Sequence, residues 1–244
     1  MNELVTAVQS WAAWIGERWA TSAPPPLWVV ALALTVIIAT AAIRPLWHLT
    51  RNAITVIHEM GHVTIAWLMG RRIQGIRLHS DTSGLAITEG RPSGIGVLLT
   101  FLSGYTAPGV LGLAMVWASY AGYSGIALTV LLATLVLAFF LVRNLFGFLV
   151  VIVALALAGY AFWGGEPTVI TATAFIVGIF LCVGGVRASM DLWQAHAKHD
   201  GGASDAAMAA EHSLMPAMAW VYFFIVATSV CAVLAIILIV TATI

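Results

Sequence analysis

Apolar residues run along the chain in seven long stretches, at about 27–43, 52–70, 95–118, 125–142, 144–163, 168–186 and 216–243. Each approaches the roughly 20 mostly apolar residues that a helix needs to cross the hydrocarbon layer. Only Arg143 and its neighbours separate the fourth from the fifth. Those two read as a tight helical hairpin or one broken element, so the pattern predicts six to seven membrane helices. The expected fold is a single all-α polytopic membrane domain over residues 1–244. The first 26 residues differ from a signal peptide, because Glu3 and Glu17 flank no compact apolar core and the stretch ends in Pro24-Pro25-Pro26. Leu4, Val8, Trp11, Ile15 and Trp19 recur at helical spacing, which predicts an amphipathic helix in the headgroup zone, a packed lid being the alternative.

Composition narrows the class. Of 244 residues 61% are hydrophobic and 8% charged, with a mean hydropathy of +1.01. Soluble domains carry ~25% charged residues, so soluble, disordered and nucleic-acid-binding proteins are excluded. Ten Lys+Arg balance ten Asp+Glu, which leaves no global field to draw in phosphates. Cys182 and Cys231 both lie in apolar runs and suggest neither a disulfide framework nor a thiolate metal site. With seven spans, Arg18, Arg71, Arg72, Arg77, Arg91, Arg143, Arg187 and Lys198 fall on one side and Arg44 and Arg51 on the other. That bias places the amino terminus and the connection after the second span in the cytoplasm.

The second stretch contains His58-Glu59-Met60-Gly61-His62. Four residues apart on a helix, the two imidazoles differ by about 40° in direction and ~6 Å in rise, so both can hold one zinc ion. Glu59 adjoins the first ligand, where its carboxylate can take a proton from a water that the ion activates. With seven His and six Glu in the chain, the pattern is expected by chance roughly 0.005 times as a bare string. A hydrogen-bonded structural trio is the bland alternative. An ionisable group at span depth costs on the order of 3 kcal/mol, and three within five residues call for a divalent cation.

Beyond this helix, residues 73–89 alternate apolar and polar about a Ser80-Asp81-Thr82-Ser83-Gly84 turn. That predicts a β-hairpin in which Ile76 and Leu78 match Leu85 and Ile87. These four side chains are the expected peptide-binding positions, by strand addition; an ordinary connecting hairpin is the competing reading. His79 and Asp81 are further ligand candidates, although turn-tip residues are usually just solvated. Gly104, Pro108 and Gly112 form a thin helix face suited to close packing, against the metal-bearing helix among other neighbours. Asn144, beside Arg143, is placed to donate to an oxyanion at the zinc or to cap a helical turn. The long polar connection 187–215, expected to be cytoplasmic, holds Asp191, His196, His199, Asp200, Asp205, Glu211 and His212. A catalytic zinc needs a third protein ligand, expected from this connection or the hairpin. Ser204 reads as the cap of a helix that begins at Asp205, and Asp191 is its competitor.

Taken together, the helical His58–His62 motif, the Gly70-Arg71-Arg72 exit, the Gly75–Leu85 segment, Gly104-Tyr105 with Pro108, Arg143–Gly147 and Ser204-Asp205-Ala206 resemble the site-2 protease type of intramembrane zinc metallopeptidase. The similarity is greatest to its compact bacterial branch and covers roughly residues 45 to 220. The resemblance implies zinc on His58 and His62, Glu59 as general base, a hairpin that presents a membrane protein or peptide substrate, and residence in a bacterial plasma membrane. The well-studied relatives take a third ligand from an L-D-G motif shortly after an Asn. Here Leu145-Phe146-Gly147-Phe148-Leu149 follows Asn144 and holds no acid, so Asp205 is the expected third ligand. Two other classes compete: a non-catalytic zinc-bound scaffold for a membrane partner, and a transporter. The transporter requires facing ionisable residues on several spans, which the first, third, sixth and seventh nearly lack.

Overall fold

A computed structural model of the chain describes residues 2–198 and 201–243, so His199 and Asp200 lie outside the described residues. Helix α1 (Asn2–Trp19) precedes α2 (Leu27–Ala42) and α3 (Arg44–Leu68). Strands β1 (Arg72–Leu78) and β2 (Gly84–Glu89) form the hairpin. Helices α4 (Ile95–Tyr120), α5 (Ser124–Leu141), α6 (Leu145–Gly164), α7 (Pro167–Ala197), α8 (Asp205–Glu211) and α9 (Ala217–Thr243) follow. Outward residues of the bundle, among them Phe140, Leu157, Val226 and Ile236, are exposed apolar side chains, as a lipid-facing surface requires.

The first two expected spans are joined differently. Helices α2 and α3 meet at Ile43, which is extended (φ −92°, ψ 109°), and bend by 106°. Pro45 follows in the first turn of α3; it has no N–H to extend the hydrogen-bond ladder of α2 and is tolerated where a new helix begins. Residues 44–51, expected as a connection, are instead the first turns of α3. Among the described residues five helices are long and apolar enough to cross a membrane alone, and the bent pair makes at most a sixth crossing.

That single crossing moves the amino-terminal segment. Arg18 donates to the carbonyls of Trp163 and Gly165, and the Ser22 amide donates to Gly122 (3.0 Å). Both turns lie at the end of the bundle away from the hairpin. Sorting Arg18 with Arg71 is thereby corrected: two crossings by 27–70 would have put them together, and one bent crossing puts them apart. Trp14 packs on Phe162 and Trp163 (5.7 and 4.8 Å between centroids) and lies under the Arg18 guanidinium, while Leu4 and Val8 stay exposed.

The hairpin also departs from the expected register. Ile76 pairs with Ala86, Arg77 with Leu85, Leu78 with Gly84 and Gly75 with Ile87, with an irregularity between Ile73 and Gly75. Ile76 and Leu78 therefore share a face with Gly84 and Ala86, opposite Leu85 and Ile87; one residue of slip exchanges the faces. Ile76 and Leu78 are each 1% exposed and belong to the main core, so they are not peptide-binding positions. Leu85 remains exposed and Ile87 half-buried. The other edge of β1 is covered by the α5–α6 break: Val142 bridges Ile76, and the Arg143 amide donates to the Ile76 carbonyl (2.9 Å).

Helix α4 is the hub of the bundle, because it packs on α3 at one end and on α7 and α9 along its length. A Cβ on Gly61 would stand 2.6 Å from Ala107 Cβ and from the Ser103 carbonyl, and one on Gly112 2.6 Å from the Gly178 carbonyl. Only Gly104 of the expected thin face therefore meets the metal-bearing helix; Gly112 meets α7. Overpacking a tight contact costs about 1–3 kcal/mol. Gly112→Leu should lower the thermal unfolding midpoint in detergent by several degrees without altering metal content, as read by fluorescence-monitored melting and elemental analysis.

Candidate metal centre

Helix α3 presents His58, Glu59 and His62 toward α4 and β2. The crossing at Gly61 and the bare Cα of Gly104 admit the rings: a Cβ on Gly104 would overlap His62 Nε2 and lie 2.8 Å from His58 Cε1. His62 Nδ1 stands 2.6 Å from the Thr100 carbonyl of α4. A carbonyl only accepts, so this nitrogen carries the proton and Nε2 of the neutral ring offers a lone pair. Tyr105 packs edge-on against His58 at 4.7 Å. Thr100 contributes only its backbone carbonyl, which no residue pattern announces.

Asp205 arrives from 143 residues beyond His62. Ser204 caps α8, accepting from the Ala207 amide (3.2 Å) and contacting His196 Nε2 (2.8 Å), which fixes the first residue of the helix. Asp205 Oδ2 then lies 3.1 Å from His58 Nε2 and 3.2 Å from His62 Nε2, which are themselves 3.1 Å apart. This oxygen is buried yet makes no well-aligned hydrogen bond. Burial works to raise the Asp205 carboxyl, but the adjoining His62 and His58 rings more than offset it and hold it well below the usual carboxylate range.

The three atoms fit a cation. A zinc ion about 2.0–2.1 Å from each would subtend about 100° between ligands, near the tetrahedral angle of about 109°. His58, His62 and Asp205 are the three described residues whose donor atoms gather in this way. Glu59 lies at the rim, 2% exposed, with Oε1 4.0 Å from His58 Nε2 and Oε2 buried without a partner. Its carboxylate rests on Gly84, where any Cβ would overlap Oε1. The sequence reading missed Gly84 as a site residue; its signal was the lone glycine where turn meets strand.

Four candidate residues, Asn144, Asp191, Asp81 and His79, stand outside the triad. Asn144 accepts from the Leu78 amide (3.1 Å) and donates to the Leu78 carbonyl (2.6 Å). Both ends of its amide are engaged, so it clamps β1 in place of serving an oxyanion. Asp191, the alternative ligand, accepts from Trp47 Nε1 (2.9 Å) and pairs with Arg51 (3.5 Å) and Arg187 (3.4 Å). It is the anion of an ion cluster and stands outside the triad. Asp81 accepts from the amide and hydroxyl of Ser83, which hold its carboxyl below the usual range, and His79 Nδ1 meets the same hydroxyl. Both are turn-tip residues. The polar connection 187–215 is largely helical, formed by the end of α7 and by α8.

The hydrogen-bonding pattern of the hairpin bears on what it can receive. The carbonyls of Gln74, Ile76 and Leu78 point at residues 142–144. Bonding groups alternate along a strand, so Gly75 and Arg77 face Ile87 and Leu85, and the backbone groups of Gly84, Ala86 and Thr88 point away from β1. That outer edge borders Glu59.

A family model described as Peptidase M50B-like matches residues 28–235. The chain belongs to the peptidase M50B-like family. No curated protein and no solved structure matches it. The match spans α2 to most of α9 of this M50B-like chain, and so includes both halves of the metal centre, α3 and α8.

Loss of one ligand from such a centre should be severe, since even residues that merely orient ligands are worth 10–100-fold in affinity. Asp205→Ala should lower zinc affinity by at least about tenfold. Asp191→Ala should leave zinc occupancy unchanged and cost stability alone. Metal titration of the purified variants distinguishes them.

Proposed function

We propose that this M50B-like protein is a zinc-dependent endopeptidase that hydrolyses peptide bonds within or next to the membrane. The observation that carries the reading is the triad of His58, His62 and Asp205 with the buried Glu59 carboxylate beside it, one oxygen of which has no hydrogen-bond partner. Bound there, zinc would supply Lewis-acid polarisation of the scissile carbonyl and make water easier to deprotonate. Glu59 takes the proton of the attacking water and delivers it to the leaving amine. Its seat against Gly84 fixes the direction in which it does so, and Thr100 and Ser204 hold the two sides of the ligand set.

Substrate presentation follows from the hairpin. A transmembrane helix is resistant while its amides are internally bonded. An extended segment laid along the outer edge of β2 would expose one carbonyl beside Glu59, with main-chain bonds to Gly84 and Thr88 on either side of Ala86, whose amide Glu59 engages. Arg143 and Asn144 hold β1 from the other side, which leaves β2 as the receiving strand. The substrate is thus a membrane protein or peptide with a segment that can unwind. Eight of the ten basic residues, Arg51, Arg71, Arg72, Arg77, Arg91, Arg143, Arg187 and Lys198, lie toward the hairpin end. The positive-inside bias makes that end cytoplasmic, with the amino-terminal segment on the far side of a bacterial plasma membrane.

Glu59→Gln should retain zinc and lower cleavage of a transmembrane model substrate by about 10²–10⁴-fold, whereas His58→Ala should lose both. Undiminished cleavage by zinc-loaded Glu59→Gln in a gel-based assay would overturn the assignment of the base.

A further inference from the structure

Two cavities meet at the metal centre, and their chemistry differs. One, of about 230 Å³, is bordered beyond the centre by Arg51, Thr55, Thr82, Ser83 and Ser204. The other, of about 280 Å³, is bordered by Leu85, Val97, Phe101 and Met208, with Arg71 at its rim. The Arg71 guanidinium is engaged by the Thr88 hydroxyl and the Arg91 carbonyl. His58, Glu59, Gly84 and Asp205 line both cavities, so a chain lying along β2 passes from one to the other across the reacting position.

Arg51 gives the first cavity a sign. A single carboxylate, Asp191, answers two guanidiniums, those of Arg51 and Arg187, and this cluster keeps one net positive charge. Arg51 precedes His58 by seven residues, two turns on one face and about 10 Å along the axis. That distance matches about three residues of extended chain.

We propose that these cavities are the two substrate subsites, one on each side of the scissile bond. The Val97–Phe101–Met208 cavity takes a large apolar side chain next to the cut. The Arg51 cavity takes a substrate carboxylate about three residues away on the other side, borne by an Asp or Glu side chain or by the chain end. The assignment rests on the peptidase reading. It describes a substrate whose apolar membrane segment ends close to an acidic group.

A randomised peptide library, half with free and half with amidated carboxyl ends, can be incubated with the zinc-loaded full chain and the products sequenced by mass spectrometry. Wild type should enrich large apolar residues beside the cut and acidic residues about three positions beyond it. Restriction of the acidic preference to the free-ended half would identify the chain terminus as the carboxylate. Arg51→Gln should reduce the acidic enrichment by about tenfold and keep the apolar one, Arg51→Lys should retain both, and Phe101→Ala should do the reverse of Arg51→Gln. Cleavage without these enrichments, or enrichments that neither variant moves, overturns the subsites and leaves the peptidase reading standing. Failure of zinc-loaded wild type to cleave any peptide overturns that reading and the subsites with it. Wild-type selectivity decides the matter even if a variant does not fold.

Discussion

Two imidazole nitrogens and a carboxylate oxygen stand within 3.2 Å of one another in the interior of the protein, with a second carboxylate, Glu59, at their side. Gathering lone pairs and anions away from water is strongly unfavourable unless a cation or protons join them. Much of the surrounding structure serves that gathering. Gly61 and Gly104 let α3 and α4 approach, the Thr100 carbonyl orients one ring, and Ser204 aims the acid. The 106° bend before α3 follows from the same need. A helix that carries Arg44, His48, Arg51, His58, Glu59 and His62 crosses lipid poorly by itself; as the second half of a bent pair it turns Arg51, His58, Glu59 and His62 into the protein and leaves Arg44 and His48 exposed at its start.

The hairpin is integrated into this centre and does more than connect two helices. Residues 142–144 tie down β1, with Asn144 acting as a stretch of strand through its side chain. Gly84 brings β2 into van der Waals contact with Glu59. Glu59 and strand β2 are therefore positioned by one contact, and a shift of the hairpin would move both. Under the proposed peptidase reading, this coupling would link substrate seating to proton transfer without a separate moving part.

Much of this was legible in the residues. The ends of α4, α5, α6 and α9 fall within two residues of the apolar runs, because a 20-residue apolar stretch admits few alternatives in lipid. His58, Glu59 and His62 were legible because helical spacing alone brings them together. Asp205 could be named from its segment, but its approach to His58 is a tertiary closure that no local pattern encodes. The α2–α3 bend was hidden by the polar run 44–51, which suits a loop as well as a polar-faced helix; Pro45 was the available sign. The register of the hairpin is set by the five-residue turn between Leu78 and Gly84, and alternation reads equally well a residue to either side. For Asn144, residue type indicated a donor without indicating where it donates.

X-ray absorption at the zinc edge of the purified full-length protein tests the central claim most directly. The account predicts one tightly bound zinc per chain, with two imidazole nitrogens and carboxylate oxygen at about 2.0–2.2 Å. A spectrum with sulfur scatterers at about 2.3 Å, with a single imidazole, or with no stoichiometric metal would contradict it.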